Sequence, residues 1–368
     1  MTILIKDSLR RAVETASNGS QTVLYTVSGV PSFVNIIPKF NLQDISDEIG
    51  SGVHPAFVIN GKTVPEIFVG TYAGSLINGQ LVSRPDVPQI TRVSYDDGIT
   101  YARAAGPGWH RMTNIEFSAI GLMCNKLGVY PRGNTNYGRS SDNISEVGRR
   151  VDGMKPGTES GVGTILNGSG PVAWRHNGEY AGISDLAGNI WESVSGLRFC
   201  AGEIQIMADN NAASSSVDNG VTSTAWRAIS GADGSLLTPT FTGSIVGGNY
   251  VATTAGSVRV GDSPAGGYVL KYGDNISFST VKDISTSPIS AAATQLLKRH
   301  MLLPLNGLAT NDGVFYQQGM ESAPLRGGSF SNGDSGGLNA LLANRGRNSM
   351  ISENSGLRPV YYNPASAT

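Results

Sequence analysis

At 368 residues the chain is long enough for two or three domains, or for one large domain with insertions. A formal net charge of −1 gives no electrostatic reason to expect nucleic acid as a partner. Only 15% of residues are charged, 39% are hydrophobic and 48 are glycine, which argues for short strands and many turns and against a helical bundle.

Asp7 to Ala16 reads as a short helix, with Asp7 as N-cap and Asn18-Gly19 as its stop. The opening MTILIKDSLRRAVETAS turns polar early, so no signal peptide is expected. Thr22–Val27 and Ser32–Ile37 read as strands, while Asp44–Ile49 is polar and fits no single element. Residues 1–50 are read as an N-terminal segment, either an attachment arm or an oligomerisation element. From His54, Ala56–Ile59 and Val64–Tyr72 read as a hairpin turning at Asn60-Gly61. Ser94 is a good N-cap for a helix over Tyr95–Ala105, which Gly106-Pro107-Gly108 ends. Thr113 and Glu116 form a capping-box pattern for a second helix ending near Gly128. The corner between the helices carries Trp109 and His110, which are read as packed residues.

Pro131–Gly170 is rich in Gly, Asn, Ser and Arg and is expected to be a long irregular loop. Pro171–Trp174 is expected as a strand, and Asp185 and Gly188-Asn189 as turns before a strand at Ile190-Trp191. Residues 203–290 look like an insertion with β-like pieces at Glu203–Met207, Ser244–Val251, Ser257–Val260 and Tyr268–Tyr272. Ala291–Arg299 reads as a short helix. The apolar run Met301–Leu305 is far too short to span a bilayer. Cys124 and Cys200 are read as buried free thiols in preference to a disulfide.

The terminal stretch 325–360 holds small and polar residues and cannot build a core by itself, so it must be displayed on a scaffold. It also carries a resemblance. Asp185–Glu192 (DLAGNIWE) looks like the D-x-x-G-N-V-W-E-W motif of formylglycine-generating-enzyme-like domains. RGGSF…ANRGRNS…SGLRPV, from Arg326 to Val360, looks like their closing motif. GPGWHRMTNIEFSAI resembles a third segment, with Trp109, Met112, Thr113, Glu116 and Phe117 in register. The likeness covers roughly residues 54–200 and 300–362. It implies an α+β, C-type-lectin-like fold for residues 51–368: two helices, small twisted antiparallel sheets and much loop, interrupted by the β-rich insertion.

The chain departs from the catalytic members where they bind copper. Asn332 and Gly337 stand at the two cysteine positions, and neither supplies a thiolate. His54, His110, His176 and His300 lack the H-x-x-x-H spacing of the iron-dependent relatives. No E-P-N, Q-P-D or W-N-D sugar-binding triplet is present, and Asp209-Asn210-Asn211 is read as a solvated turn before a calcium site. No G-x-S-x-G elbow, P-loop or dinucleotide fingerprint appears. No metal or cofactor is therefore expected.

Without the cysteines, the pattern is similar to the variable region of proteins diversified by retroelements, of which phage tail receptor binders are the best known. That similarity implies varied positions at Ser331, Asn332, Ser335, Asn339, Leu342, Asn344, Arg345 and Arg347 within 325–360. Arg326, Gly327, Gly328, Trp191, Glu192 and Arg358 are read as structural frame. For Arg345 and Arg347, reaching a partner's carboxylates and lying in a solvated loop stand side by side as readings. Tyr316, Phe330, Tyr361 and Tyr362 are candidate aromatic anchors. The expectation is a non-catalytic binder of a cell-surface protein or glycan, made in a host cytoplasm and carried on a virion or tail, with no membrane insertion. A homo-oligomer such as a trimer, or contact with virion and tail proteins, fits that role. The alternatives are a metal-dependent oxidoreductase of the formylglycine-generating type that relies on Cys124 or Cys200, and a purely structural tail component.

Overall fold

The computed structural model describes residues 7–246, 248–261, 268–272, 279–308, 310–316, 321–347 and 351–368. Among these, four helices and several small sheets make a mixed α+β protein. Helix α1 (Ser8–Ala16) is capped by Asp7, whose carboxylate accepts from the Arg10 backbone N–H at 2.9 Å. Helix α2 (Tyr95–Arg103) is capped by Ser94. Helix α3 (Asn114–Leu127) starts with the reciprocal Thr113/Glu116 box and ends at Gly128 in the left-handed conformation. Helix α4 spans Ala291–Arg299.

Three sheets organise the chain. The first is antiparallel throughout and runs in the order Gln21–Tyr25, Pro31–Pro38, Glu66–Gly70, Pro359–Tyr361, Trp109–Arg111. It covers α3, whose Phe117, Ile120 and Cys124 lie in the largest apolar cluster with Ile67, Val69 and Val360. Within strand Pro31–Pro38, Val34 to Pro38 pair with Glu66–Gly70, which joins residues on either side of position 50. Gln21–Tyr25 and Pro31–Pro38, within the expected N-terminal segment, belong to this sheet.

The second sheet has eight strands and is built mostly from residues 203–290. It is rooted on Leu197–Cys200, which also pairs with Glu321–Ser322. Phe199, Ile204, Ile229 and Leu270, with Leu297 of α4, lie in an apolar cluster distinct from the one under the first sheet. The third sheet runs Ser279–Thr280, Gly313–Tyr316, Leu341–Ala343, Leu325–Arg326, Trp191–Ser193, Ser355–Gly356.

Some local expectations change. Asn60-Gly61 does turn at positive φ, but it joins only Val58–Ile59 to Lys62–Thr63. Pro65 has no N–H to extend that ladder, and the chain leaves to pair elsewhere. Pro171–Trp174 is not a strand. Val172–Trp174 is a 3-10 turn, with Trp174 N–H donating to Pro171 O. Trp109 and His110 sit on a strand between the helices, and both are buried. Ser244–Val251 is two strands of a hairpin, Phe241–Ser244 and Asn249–Ala252, with residue 247 outside the described residues. Residues 131–170 carry only isolated bridges, as expected of an irregular segment. Buried polar groups hold it: the Arg150 guanidinium donates to Thr158 O and Ser160 O, and Asn134 Nδ2 to Gly163 O.

Three buried histidines make stability sensitive to acid. Burial drives the pKa of His54 to about 3, His176 to about 4 and His300 to about 3, from an ordinary 6.5. His54 Nδ1 accepts from Ala56 N–H, and His176 Nδ1 from Ile183 N–H, so protonation would break both bonds. Below pH 6.5 the unfolded chain binds protons at these rings that the folded chain refuses. Stability is therefore full above pH 6.5 and falls as pH drops, by about 1.4 kcal/mol per ring per pH unit. Urea unfolding followed from about pH 7.5 to 5 should show the midpoint declining only at the acid end, and His176→Asn should make the decline shallower. A midpoint unchanged over that range would mean the rings are not buried neutral.

Candidate functional site

Strand register in the third sheet sorts the terminal stretch into two faces. Phe315 pairs with Leu342, Leu342 with Leu325, and Leu325 with Ser193, while Trp191 pairs with Ser355. Side chains alternate, so Phe315, Leu342, Leu325, Trp191 and Ser355 share one face. Val314, Tyr316, Leu341, Arg326 and Glu192 share the other, and all of these are buried. On that side Val314, Tyr316 and Leu341 join the core of the second sheet.

The first face is partly open and floors a cavity of about 220 Å³. Trp191, Phe315, Leu325 and Leu342 form its apolar base, with the Trp191 and Phe315 rings edge to face at 6.1 Å. Ser331, Asn332, Asn344, Arg345, Ser352 and Asn354 form the wall and rim. Five of the eight positions named from sequence thus meet in one place: Ser331, Asn332, Leu342, Asn344 and Arg345. Ser331 and Arg345 are exposed. Asn332 is also a local brace, its Oδ1 accepting from the Ser329 N–H and hydroxyl at 2.8 and 2.7 Å. The Asn344 side-chain oxygen is buried with no hydrogen-bond partner among the described residues.

The other three positions lie elsewhere. Ser335 sits in the turn Gly333–Ser335 and donates to Asn332 O. Asn339 is 6% exposed, with its N–H on the Asp312 carboxylate, and lines a separate cavity of about 110 Å³. Arg347 is neither solvated nor free to reach a partner. It donates to Asp96 at 2.7 Å, Glu321 at 3.1 Å and Asn219 O at 2.9 Å, and lies 4.2 Å from the centre of the Tyr95 ring. The Arg111 guanidinium is 3.8 Å from the same ring centre. Asn348 and Ser349 of the family-like pattern lie outside the described residues.

The aromatic anchors also differ from expectation. Tyr316, Phe330 and Tyr362 are buried, and Tyr361 packs on Trp109 and Phe68 in the first sheet. The rings at the cavity are Trp191 and Phe315 instead. Ser352, Asn354 and Ser355 also line it and were missed, because only the crossing of Ser355–Gly356 beside Trp191 brings them there.

The frame residues are tightly placed. Arg358 donates to Glu192 (Nε to Oε2, 2.9 Å), to Gly70 O and to Ser184 O, both at 2.8 Å. Burial raises the Glu192 carboxyl pKa, and Arg358 opposes that rise. Arg326 donates to Asn114 Oδ1 at 2.9 Å and to His300 O at 2.8 Å. Gly327 and Gly328 have φ of 91° and 85°; a Cβ would come within 2.4 Å of Leu186 O and 2.6 Å of Gly336 Cα, respectively.

The thiols and the oxygen cluster read as structural. Cys124 and Cys200 are both free and buried, and burial pushes each thiol pKa up to about 12. Asn210 is not in a solvated turn: it donates to Ala56 O and Glu116 and accepts from the Thr113 hydroxyl, tying the α3 cap to the loop after Met207. Among the described residues, no three His, Cys, Asp or Glu side chains gather as a metal set, and no helix is long and apolar enough to cross a membrane. No protein-family model matches the chain, and no curated protein matches it either.

The two arginines give a sharp contrast to measure. Arg347→Ala should cost about 1–3 kcal/mol of unfolding free energy, because Glu321 is left with Arg198 alone at 3.1 Å and the Asn219 carbonyl loses its donor. Arg345→Ala should stay within about 0.5 kcal/mol of the parent. Gly328→Ala should lose about 1–3 kcal/mol from backbone strain alone. Urea titration of the three variants checks the assignment; equal losses at 345 and 347 would refute it.

Proposed function

We propose that the protein is a non-catalytic receptor binder with a C-type-lectin-like fold, whose terminal stretch is diversified by a retroelement. The observation that carries the reading is the division of the third sheet into two faces. One face holds Glu192 and Arg326 buried and bonded. The other gathers Ser331, Leu342, Asn344 and Arg345 around one open cavity. Side chains there can change without touching the buried network, which is what a diversified surface requires. The strand Pro359–Tyr361 returns to lie between Glu66–Gly70 and Trp109–Arg111, and this closing of the chain on its first sheet favours the C-type-lectin-like comparison.

The ligand is a cell-surface molecule, and the setting is a phage or virus tail that displays several copies. Repetition raises avidity by orders of magnitude without new contacts. The oxidoreductase alternative needs thiolates, and the two thiols present are buried in the hydrophobic interior with raised pKa values.

Two measurements test the reading. DNA beside the gene should encode a reverse transcriptase and a near-copy of the codons for 325–360, differing mainly at adenines. A library randomised at Ser331, Leu342, Asn344 and Arg345 should yield mostly folded protein, whereas one randomised at Gly327, Gly328, Glu192 and Arg358 should yield little. Absence of the near-copy together with equal intolerance of both libraries would remove the proposal.

A further inference from the structure

The cavity on the third sheet has a one-sided chemistry. Its floor of Trp191, Phe315, Leu325 and Leu342 is apolar, and no Asp or Glu lines it among the described residues. Arg345 on its rim is exposed, and no hydrogen bond or ion pair engages its guanidinium among the described residues. The neighbouring cations are engaged: Arg347 with Glu321 and Asp96, and Arg92 with Glu353 at 2.8 Å. Glu353, the one acid in the loop carrying Ser352 and Asn354, is therefore already paired. The cavity presents an apolar well beside an available positive charge.

That chemistry discriminates among ligands. A neutral sugar needs a broad exposed aromatic face for stacking and carboxylates or amides to meet its hydroxyls. Here Trp191 is only 3% exposed, and two of the four floor groups are leucines. A single buried aromatic or branched side chain fits a well of about 220 Å³, and a carboxylate beside it fits Arg345. The Asn344 side-chain oxygen, buried without a partner, is an acceptor that a peptide N–H can meet after a small rotation.

We infer that the site takes an acidic peptide segment of a protein receptor: an apolar side chain enters the well while a neighbouring Asp or Glu side chain pairs with Arg345. This inference rests on the receptor-binding reading above and specifies its ligand class. Attraction to the negative segment is screened by salt, whereas filling of the well is not.

The probes are N-acetyl-Phe-Glu-amide, its uncharged twin N-acetyl-Phe-Gln-amide, and N-acetylneuraminic acid. Each is titrated into the full chain and followed by saturation-transfer NMR. The acidic dipeptide should bind about fivefold more tightly than its twin, the scale of one partly exposed ion pair. Arg345→Gln should abolish that preference while leaving the twin's affinity unchanged, and Arg345→Lys should restore part of it. Equal binding of the two dipeptides, a preference that survives Arg345→Gln, or tighter binding of the acidic sugar would overturn the inference. Ser331→Trp, at an exposed rim position, separates the two levels of argument. If that variant loses attachment to cells that the parent binds, yet neither dipeptide binds the parent, the receptor reading stands and the acidic-peptide inference fails.

Discussion

The Arg358–Glu192 pair is the interaction on which the rest of the architecture depends. Arg358 precedes the strand Pro359–Tyr361 of the first sheet, and Glu192 lies within the strand Trp191–Ser193 of the third. The same guanidinium donates to Gly70 O in the first sheet and to Ser184 O in the turn region that precedes Trp191. Both side chains are essentially removed from water. Such a pair adds little net stability over an apolar replacement, but removing one partner leaves a buried charge without compensation. Its contribution is geometric. Its bonds tie the last strand of the first sheet to Glu192 of the third sheet and to Gly70 O and Ser184 O.

The same device recurs where regular structure is scarce. Residues 131–170 and the loops around 185–190 have few ladder hydrogen bonds, so their backbone groups must find partners among side chains. Arg150, Asn134 and Asn189 supply them: Asn189 Oδ1 accepts from the Ile165 N–H at 2.9 Å and from Asn134 Nδ2 at 3.1 Å. Asn167 reaches Ala73 O at 2.9 Å and ties this region to the strands after Gly70. A chain with modest apolar content can thus hold long irregular stretches in place through bonds from buried side chains to the backbone.

Separating a buried inner face from a partly open outer one follows from the period of a β-strand. Leu341 and Leu342 are adjacent in sequence, yet one belongs to the core of the second sheet and the other to the cavity. Ser331 and Arg345 reach the same rim from either side of the strand Leu341–Ala343. Gly327 and Gly328 make this possible, because they bring the chain against Leu186 and Gly336 more closely than any side chain permits.

Local signals were sufficient for much of the chain. Asp7, Ser94 and the Thr113/Glu116 box marked three helix starts, because a cap is a contact between residues three apart and is written in the sequence itself. The positive-φ turn at Asn60-Gly61 was legible from its residue types, and the strands Glu203–Met207 and Tyr268–Tyr272 from their apolar and aromatic content between turn formers. Pairings between distant segments were not legible. Nothing local shows that Pro31–Pro38 would join Glu66–Gly70, that Arg347 would be gripped by Asp96 and Glu321, or that Trp191 and Phe315 would meet across a cavity. The sequence alone determined that this stretch is rich in small and polar residues and that Gly327 and Gly328 are where it bends. Only tertiary structure decided which of those side chains face outward, since strand register depends on partners more than a hundred residues away and a shift of one position exchanges the two faces.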